Sequence, residues 1–409
     1  MLPLVERGRI VANLAGLPSY PELALALAEQ NRMSPPYRAL TEFECQCLAV
    51  DASAEAERYR QEVRVLDRTT RTLWCDCSRK ARVARLKQML LTAMAEEYQN
   101  RSAAAALELF FRIAEAEGRW DLSMAGQALV DDTLTRLRRI REQGLKPPVS
   151  VESIERQKLD VQAQAVKLRV GIDQANDHLR RLLRLDPCIG GERLWPVADF
   201  AVTIDPPDVD SAVADGLAHR PELVALRRLV VELDVQTLAA ARNVWLAGSG
   251  GLLGPEESHS EARTWLLSVM ALVCGDPPEV EIRRQQLCAY LREREEMIAN
   301  EIRQSARSMQ AQGQLVVLAQ ERVRHWQERV KEVERQAERG LASFVDLAAV
   351  KTEWLNAQGE LVKEVMAWHA ARTLHKQSRH LLLRECRGVT SALGPAITAA
   401  ETAPCASLP

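Results

Sequence analysis

Two kinds of residue in this chain could do chemistry. The first are thiols. Cys45 with Cys47, and Cys75 with Cys77, form two Cys-x-Cys pairs among nine cysteines. Such pairs can supply zinc ligands. Both fall on or beside helical pattern, however, where positions two apart point about 200° from each other, so neither chelates easily. Buried or half-exposed thiols are the preferred reading, because a secreted disulfide framework is denser and sits in a shorter chain. The second kind is a serine and an acid at fixed distance after a glycine. Residues 337–350 read AERGLASFVDLAAV, and residues 141–156 read REQGLKPPVSVESIER. Ser343 and Asp346 are spaced either for polar chemistry or to cap a helix. The histidines are scattered, with His375 and His380 the nearest to a pair. No nucleophile–base pairing, phosphate loop or metal-ligand spacing stands out. No catalytic residue, metal or cofactor is therefore expected.

The flanking tracts explain the glycines. Before the second glycine, apolar or small residues fall at Val316, Ala319, Val323, Trp326, Val330, Val333, Ala337 and Gly340. After the first they fall at Val161, Ala165, Leu168, Ile172, Ala175, Leu179 and Leu182; after the second, at Leu347, Val350, Trp354, Ala357 and Leu361. Alternating steps of three and four are the seam of supercoiled helices. The Glu/Arg-rich residues between are a solvated face. Helical pattern covers 41–72, 79–143, 151–186, 209–245, 279–339 and 344–388, with proline joints at Pro147-Pro148, Pro187 to Pro207 and Pro277-Pro278. A tract of about 60 residues makes a helix of roughly 90 Å. Gly118 and Gly313 lie inside such tracts and need not end them. Gly144 and Gly340 then become tips of long helical hairpins, where glycine supplies the left-handed residue that closes a helix.

Composition agrees. Hydrophobic residues are 47% but aromatics only 4%, so the buried material is mostly Leu, Val and Ala. With 27% charged residues and a net charge of −2, this is the profile of a coiled-coil chain without the basic excess that nucleic acid requires. No apolar run reaches the roughly 18 residues of a membrane-spanning helix. The start, MLPLVERGRIVANLAGLPSYPEL, lacks the uninterrupted apolar core of a signal peptide, which points to a cytoplasmic chain or to a wrongly placed gene start.

The chain aligns with itself. A first half opens at Thr41 and a second at Asp210, with Leu48-Ala49 against Leu217-Ala218, and each ends in a Gly-Leu tip and a returning helix. From opening to tip the first runs 103 residues and the second 130. The surplus lies at 246–274, LAGSGGLLGPEESHSEARTWLLSVMALVC, which reads equally as a β-hairpin or as a glycine-rich loop with a short buried helix. The expected fold is mainly α, with long antiparallel coiled-coil helices in two structural repeats and at most one short β-hairpin, in the second. The expected organisation is an irregular segment at 1–40, repeats at 41–195 and 209–388, a linker at 196–208 and a disordered tail at 389–409.

Three stretches resemble the TolC-like outer-membrane efflux proteins: HRPELVALRRLVVELDVQTLAAARNVWL (219–246), ERGLASFVDLAAVKTEWLNAQGEL (338–361) and ALELFFRIAEAEG (106–118). In the second, Gly340, Ser343, Asp346 and Leu347 match the family's tip pattern. The resemblance covers about 41–388. It implies a homotrimer whose helices close an α-barrel in the periplasm and whose strands close a β-barrel in the outer membrane. It also implies tips that meet a periplasmic adaptor (membrane fusion) protein, linked to an inner-membrane pump. Nothing is catalysed. The tip residues singled out for partner binding are Gly144, Leu145, Glu152, Gly340, Leu341, Ser343, Asp346 and Leu347. The chain departs from the pattern in lacking the first hairpin, in its unclear signal peptide, and in a longer first tip, KPPVSVES, where Glu152 is expected to supply the acidic cap. The resemblance implies an efflux conduit at the outer membrane or in the periplasm. The alternative is a soluble or periplasmic coiled-coil scaffold of the same descent that has lost its membrane barrel.

Overall fold

A computed structural model of the chain describes residues 37–71, 79–185, 193–235 apart from 201 and 203, 237–238 and 278–393. In chain order these form β1 (Tyr37–Thr41), α1 (Glu42–Ala52), α2 (Ala54–Arg71), α3 (Arg79–Glu142), α4 (Val151–Leu182), β2 (Arg193–Val197), α5 (Val209–His219), α6 (Pro221–Val231), α7 (Pro278–Glu338), α8 (Phe344–Ser378) and α9 (Leu381–Leu393). The fold is mainly α, and the long tracts at 79–143 and 279–339 are continuous helices, as their periodicity requires.

The described residues fall into two compact units. The first holds 37–45, the part of α3 from Ala105, α4, β2, the part of α7 from Ala306, and α8 through Leu374. The seam residues face its core. Val316, Ala319, Val323, Val330 and Val333 are buried on α7, Ile172 and Leu179 on α4, and Ala357 and Leu361 on α8. Burying such a side chain contributes about 1.5–3 kcal/mol, so these rows hold the helices together. Gly118 and Gly313 interrupt nothing. A Cβ on Gly118 would lie 3.0 Å from Val362, and one on Gly313 would meet Ile204 at 2.6 Å, so both are sites of close packing. Phe111 stacks on His369 with centroids 5.0 Å apart, and His369 Nε2 lies 2.7 Å from the Asp199 carbonyl oxygen. Burial, reinforced by Arg372, depresses the His369 pKa and keeps the ring neutral.

The first unit also holds the strands. β1 and β2 pair in parallel, with Tyr37 opposite Arg193 and Thr41 opposite Val197. Asn176 of α4 fixes β2 from the side: its amide donates to the Leu194 carbonyl (3.0 Å) and its oxygen accepts from the Leu194 N–H (2.9 Å). Arg193 is buried between Glu117 and Asp173. This pair lies in the stretches read from sequence as irregular segment, end of the first repeat and linker. YRALT and RLWPV are five residues each, and the second is buried at four successive positions, so neither shows the alternation that identifies a strand. The expected hairpin at 246–274 lies outside the described residues.

The second unit holds 46–71, the part of α3 through Ala104, α5, α6, the part of α7 through Ser305, and the chain from His375 through α9. Leu86 and Leu90 pack with Leu226, Leu229, Val280 and Leu287, and a second cluster joins Ala212, Val213 and Leu223 to Ile298 and Ile302. Among the described residues, the tract read as one helix over 209–245 is broken at Arg220, between α5 and α6, and α6 ends at Val231. Pro221 begins α6 at its first position, where its missing N–H costs nothing, and Arg220 between the helices is extended. Buried Arg220 donates to Glu301 at 2.8 Å. Burial opposes its charge, but Glu222, Glu301 and Glu97 outweigh that and raise its pKa. At the other end of the chain, α9 continues through Leu393, into the stretch read as tail.

Candidate functional site

Both glycine breaks are helix-closing turns, and both lie in the first unit. At the first, Gly144 has φ +75°. The Leu145 N–H donates to the Ile140 carbonyl (3.1 Å) and the Gly144 N–H to the Arg141 carbonyl (3.0 Å). At the second, Gly340 has φ +72°. There the Leu341 N–H donates to Gln336 (2.8 Å) and the Gly340 N–H to Ala337 (3.0 Å). These are two Schellman closures with the same bonding, and each satisfies carbonyls that a helix end leaves open. The residue after each glycine is a leucine held in solvent, Leu145 at 60% and Leu341 at 77% exposure.

The restarts differ. At α8, Ser343 and Asp346 form a reciprocal capping box. The Asp346 N–H donates to Ser343 Oγ (3.1 Å), while the Ser343 N–H (2.9 Å) and hydroxyl (2.7 Å) donate to Asp346 Oδ2. The Leu347 N–H bonds the Ser343 carbonyl at 3.1 Å, and Leu347 is half-buried. The two Ser343 bonds hold the Asp346 pKa below its ordinary value. Both residues are thus engaged in starting a helix. At α4 the cap is Ser150, whose Oγ accepts from the Ser153 N–H at 3.1 Å. Glu152 does not cap. It stands two residues after the Ser150 cap, one short of the place that Asp346 holds after Ser343, and it pairs with Arg141 across the turn at 3.6 Å. Ser150 was missed, although a serine following Pro147-Pro148 and preceding helical pattern is a start signal.

Ion pairs step outward from each turn, as antiparallel helices require: Arg138 with Glu155 and Lys158 with Asp131, both at 2.7 Å, and Lys351 with Glu334 at 2.9 Å. Beneath the turns Leu134, Leu137 and Val151 form a core, against which Ile154, Phe344 and Val345 pack. The two turns therefore lie side by side at one end of this unit. An open groove of about 340 Å³ follows, with Val130, Ile154, Trp326, Val345 and Ala348 among its lining residues.

The other residues singled out do no common work. Cys47 is joined to Cys386 in a disulfide, so Cys45 and Cys47 are not a ligand pair; Cys45 is a buried thiol. Cys75 and Cys77 lie outside the described residues. His375 Nδ1 meets Ser305 Oγ at 3.0 Å, and His380 is buried beside Glu97. Among the described residues no group of three or more His, Cys, Asp or Glu could hold a metal.

Helices of this length, arranged this way, occur in known structures. An outer membrane channel of Campylobacter jejuni, CmeC, matches with a TM-score of 0.58 over 82% of this chain and 85% of its own, at 9% identity. This chain has a TolC-like fold. MtrE, an outer membrane channel of Neisseria gonorrhoeae in its open state, matches with a TM-score of 0.56 at 10% identity, covering 83% of this chain and 88% of that one. The outer membrane protein VceC of Vibrio cholerae matches with a TM-score of 0.52 at 14% identity, covering 88% and 96%. No family model and no curated protein sequence matches the chain. Within the TolC-like fold the stretches that carry the sequence resemblance are mostly helical where described, with Arg220, 232–235 and the turn at 339–343 outside the helices. Residues 106–118 lie in α3, 221–231 are α6, and 338–361 run from the last residue of α7 through the second turn into α8.

Proposed function

We propose that the chain is a conduit component of an export system in a two-membrane envelope, of the TolC-like outer-membrane type, and that it moves cargo without catalysing a reaction. One observation carries this reading: two Schellman-closed turns sit side by side, each holding a leucine out to solvent. A single exposed apolar side chain is ordinary, so the reading rests on the two leucines lying on adjacent turns at one end of the unit, where together they offer one apolar contact. The partner proposed is a periplasmic adaptor, with an inner-membrane pump beyond it. The tip residues Gly144, Leu145, Glu152, Gly340, Leu341, Ser343, Asp346 and Leu347 form the docking end. Of these, Leu145 and Leu341 supply the contact, and Gly144, Gly340, Ser343 and Asp346 hold the shape. The reading includes a homotrimer, a place at the outer membrane or in the periplasm, and two helical repeats, 41–195 and 209–388.

A second reading, a periplasmic scaffold without a complete membrane barrel, is favoured by one measurement. Seven residues separate Arg71 of α2 from Arg79 of α3, whereas 39 separate Leu238 from Pro278. A membrane-crossing strand needs about 9–11 residues, so the first connection is too short for two. One hairpin per chain gives a trimer about six strands, and transmembrane barrels begin at about eight.

Expression of the full-length gene in a Gram-negative host, followed by fractionation, tests both. The conduit reading expects an envelope-bound trimer that captures an adaptor, and a Leu145→Ser/Leu341→Ser variant that captures it roughly tenfold less. A washed, soluble oligomer supports the scaffold. Recovery solely as a soluble monomer rejects the conduit.

A further inference from the structure

We infer that Cys47 and Cys386 are an oxidation site: exchange with an oxidised dithiol donor joins them into a latch that fixes the C-terminal helix α9 to α1. The mature chain accordingly belongs in an oxidising compartment. This inference does not rest on the export reading. The two cysteines are separated by 339 residues, yet their Cα atoms stand 5.5 Å apart, within the span a disulfide requires. A separate set of contacts sets the helices in register. Gln46, next to Cys47, donates through Nε2 to the Leu382 carbonyl at 2.8 Å and to Glu385 at 3.2 Å. Leu382, Leu383 and Cys386 are buried on the inward face of α9.

Selection between the two α1 thiols follows from helix geometry. Cys45 and Cys47 point about 200° apart, so only one can face α9. Cys45 is fully buried, and burial, with Glu44 and Glu42 nearby, pushes its pKa up, which keeps it a thiol. Only a thiolate attacks a disulfide. Cys47 is half-buried whereas Cys386 is buried, which orders the steps. The Cys47 thiolate attacks a sulfur of the donor disulfide and releases one donor thiolate. The Cys386 thiolate then attacks Cys47 in the mixed disulfide and releases the second. Two thiols lose two protons and two electrons, and the donor disulfide leaves as a dithiol.

The latch matters because α9 is a separate element. His380, with φ +58°, breaks the chain between α8 and α9. Apart from its apolar face and the Gln46 bonds, α9 is held by exposed pairs such as Arg387 with Glu96 (2.6 Å) and Arg384 with Asp215 (3.1 Å), and exposed pairs contribute little.

The test uses the purified full chain, alkylated without reduction and then mapped by mass spectrometry. A linked Cys47–Cys386 peptide is expected, in wild type and in Cys45→Ser alike. Free Cys47, or Cys47 joined to any other cysteine, overturns the assignment. Limited trypsin cleavage after Arg384 and Arg387 reads the latch. It should rise roughly tenfold on reduction of the wild type, or in unreduced Cys386→Ser, because the end helix opens locally. Cleavage unchanged within about twofold overturns the latch while leaving the bond.

Discussion

The two turns of the first unit close alike and restart differently. Both end a helix with a left-handed glycine and the same pair of backbone bonds. The second then restarts at once, through the Ser343–Asp346 box. The first runs through Pro147 and Pro148 to Ser150, and draws its acidic residue, Glu152, into an ion pair with Arg141. Closing a helix with little room leaves one geometry open, whereas starting one has several solutions. The polar residues that look most like a motif are therefore the ones already used by the backbone. The exposed leucines, the second half of the Gly-Leu pair that marks each turn in sequence, are what the turns offer outward.

Four experiments press on that comparison. The largest effect is expected from Gly340→Val. A β-branched residue at φ +72° costs about 1–2 kcal/mol in a short turn, read as a lowered Tm. Gly144→Val should cost less, since the longer first connection can adjust. Equal losses would mean that turn length is irrelevant. Next come the caps. Ser150→Ala should cost about 1 kcal/mol. Ser343→Ala should cost more, because it also removes the hydroxyl donated to Asp346. The third reading is pH. Asp346 has its pKa lowered from 3.8, so the stability it contributes is present above that value and lost as pH falls through the folded-state pKa. The Ser343→Ala penalty should therefore shrink in acid while that of Ser150→Ala persists. Parallel pH profiles would remove the distinction between the two restarts. The smallest effect belongs to Leu145→Ser/Leu341→Ser, which should leave stability within about 0.5 kcal/mol in thermal unfolding. A larger loss would place those leucines in the fold rather than at a docking surface.

The long helices were legible because their burial repeats every three and four residues: along α7, Val316, Ala319, Val323, Val330 and Val333 are buried and Trp326 between them is half-buried. The glycine turns were legible because a Gly-Leu ends such a row. Glu152 was misread because an acid near a helix start resembles a cap, and only the backbone shows that Ser150 takes that place. The single helix expected over 209–245 missed the break at Arg220-Pro221, since the apolar pattern continues across it. The strand pair and the Cys47–Cys386 bond could not be read at all. Each joins short stretches far apart in the chain, and local periodicity carries no record of distant partners.

β1 has a consequence for how the chain is made. Its partner β2 lies about 150 residues downstream, with α1 to α4 in between. At ribosomal speeds of about 5–20 residues per second, β1 leaves the exit tunnel roughly 8–30 seconds before β2 exists to pair with it. During that interval its backbone edge is bare and Leu40, later buried, has no cover from β2. The nascent chain is thus most open to mispairing early in its synthesis, and a chaperone that shields extended segments would be needed for the first β-strand rather than for the long helices.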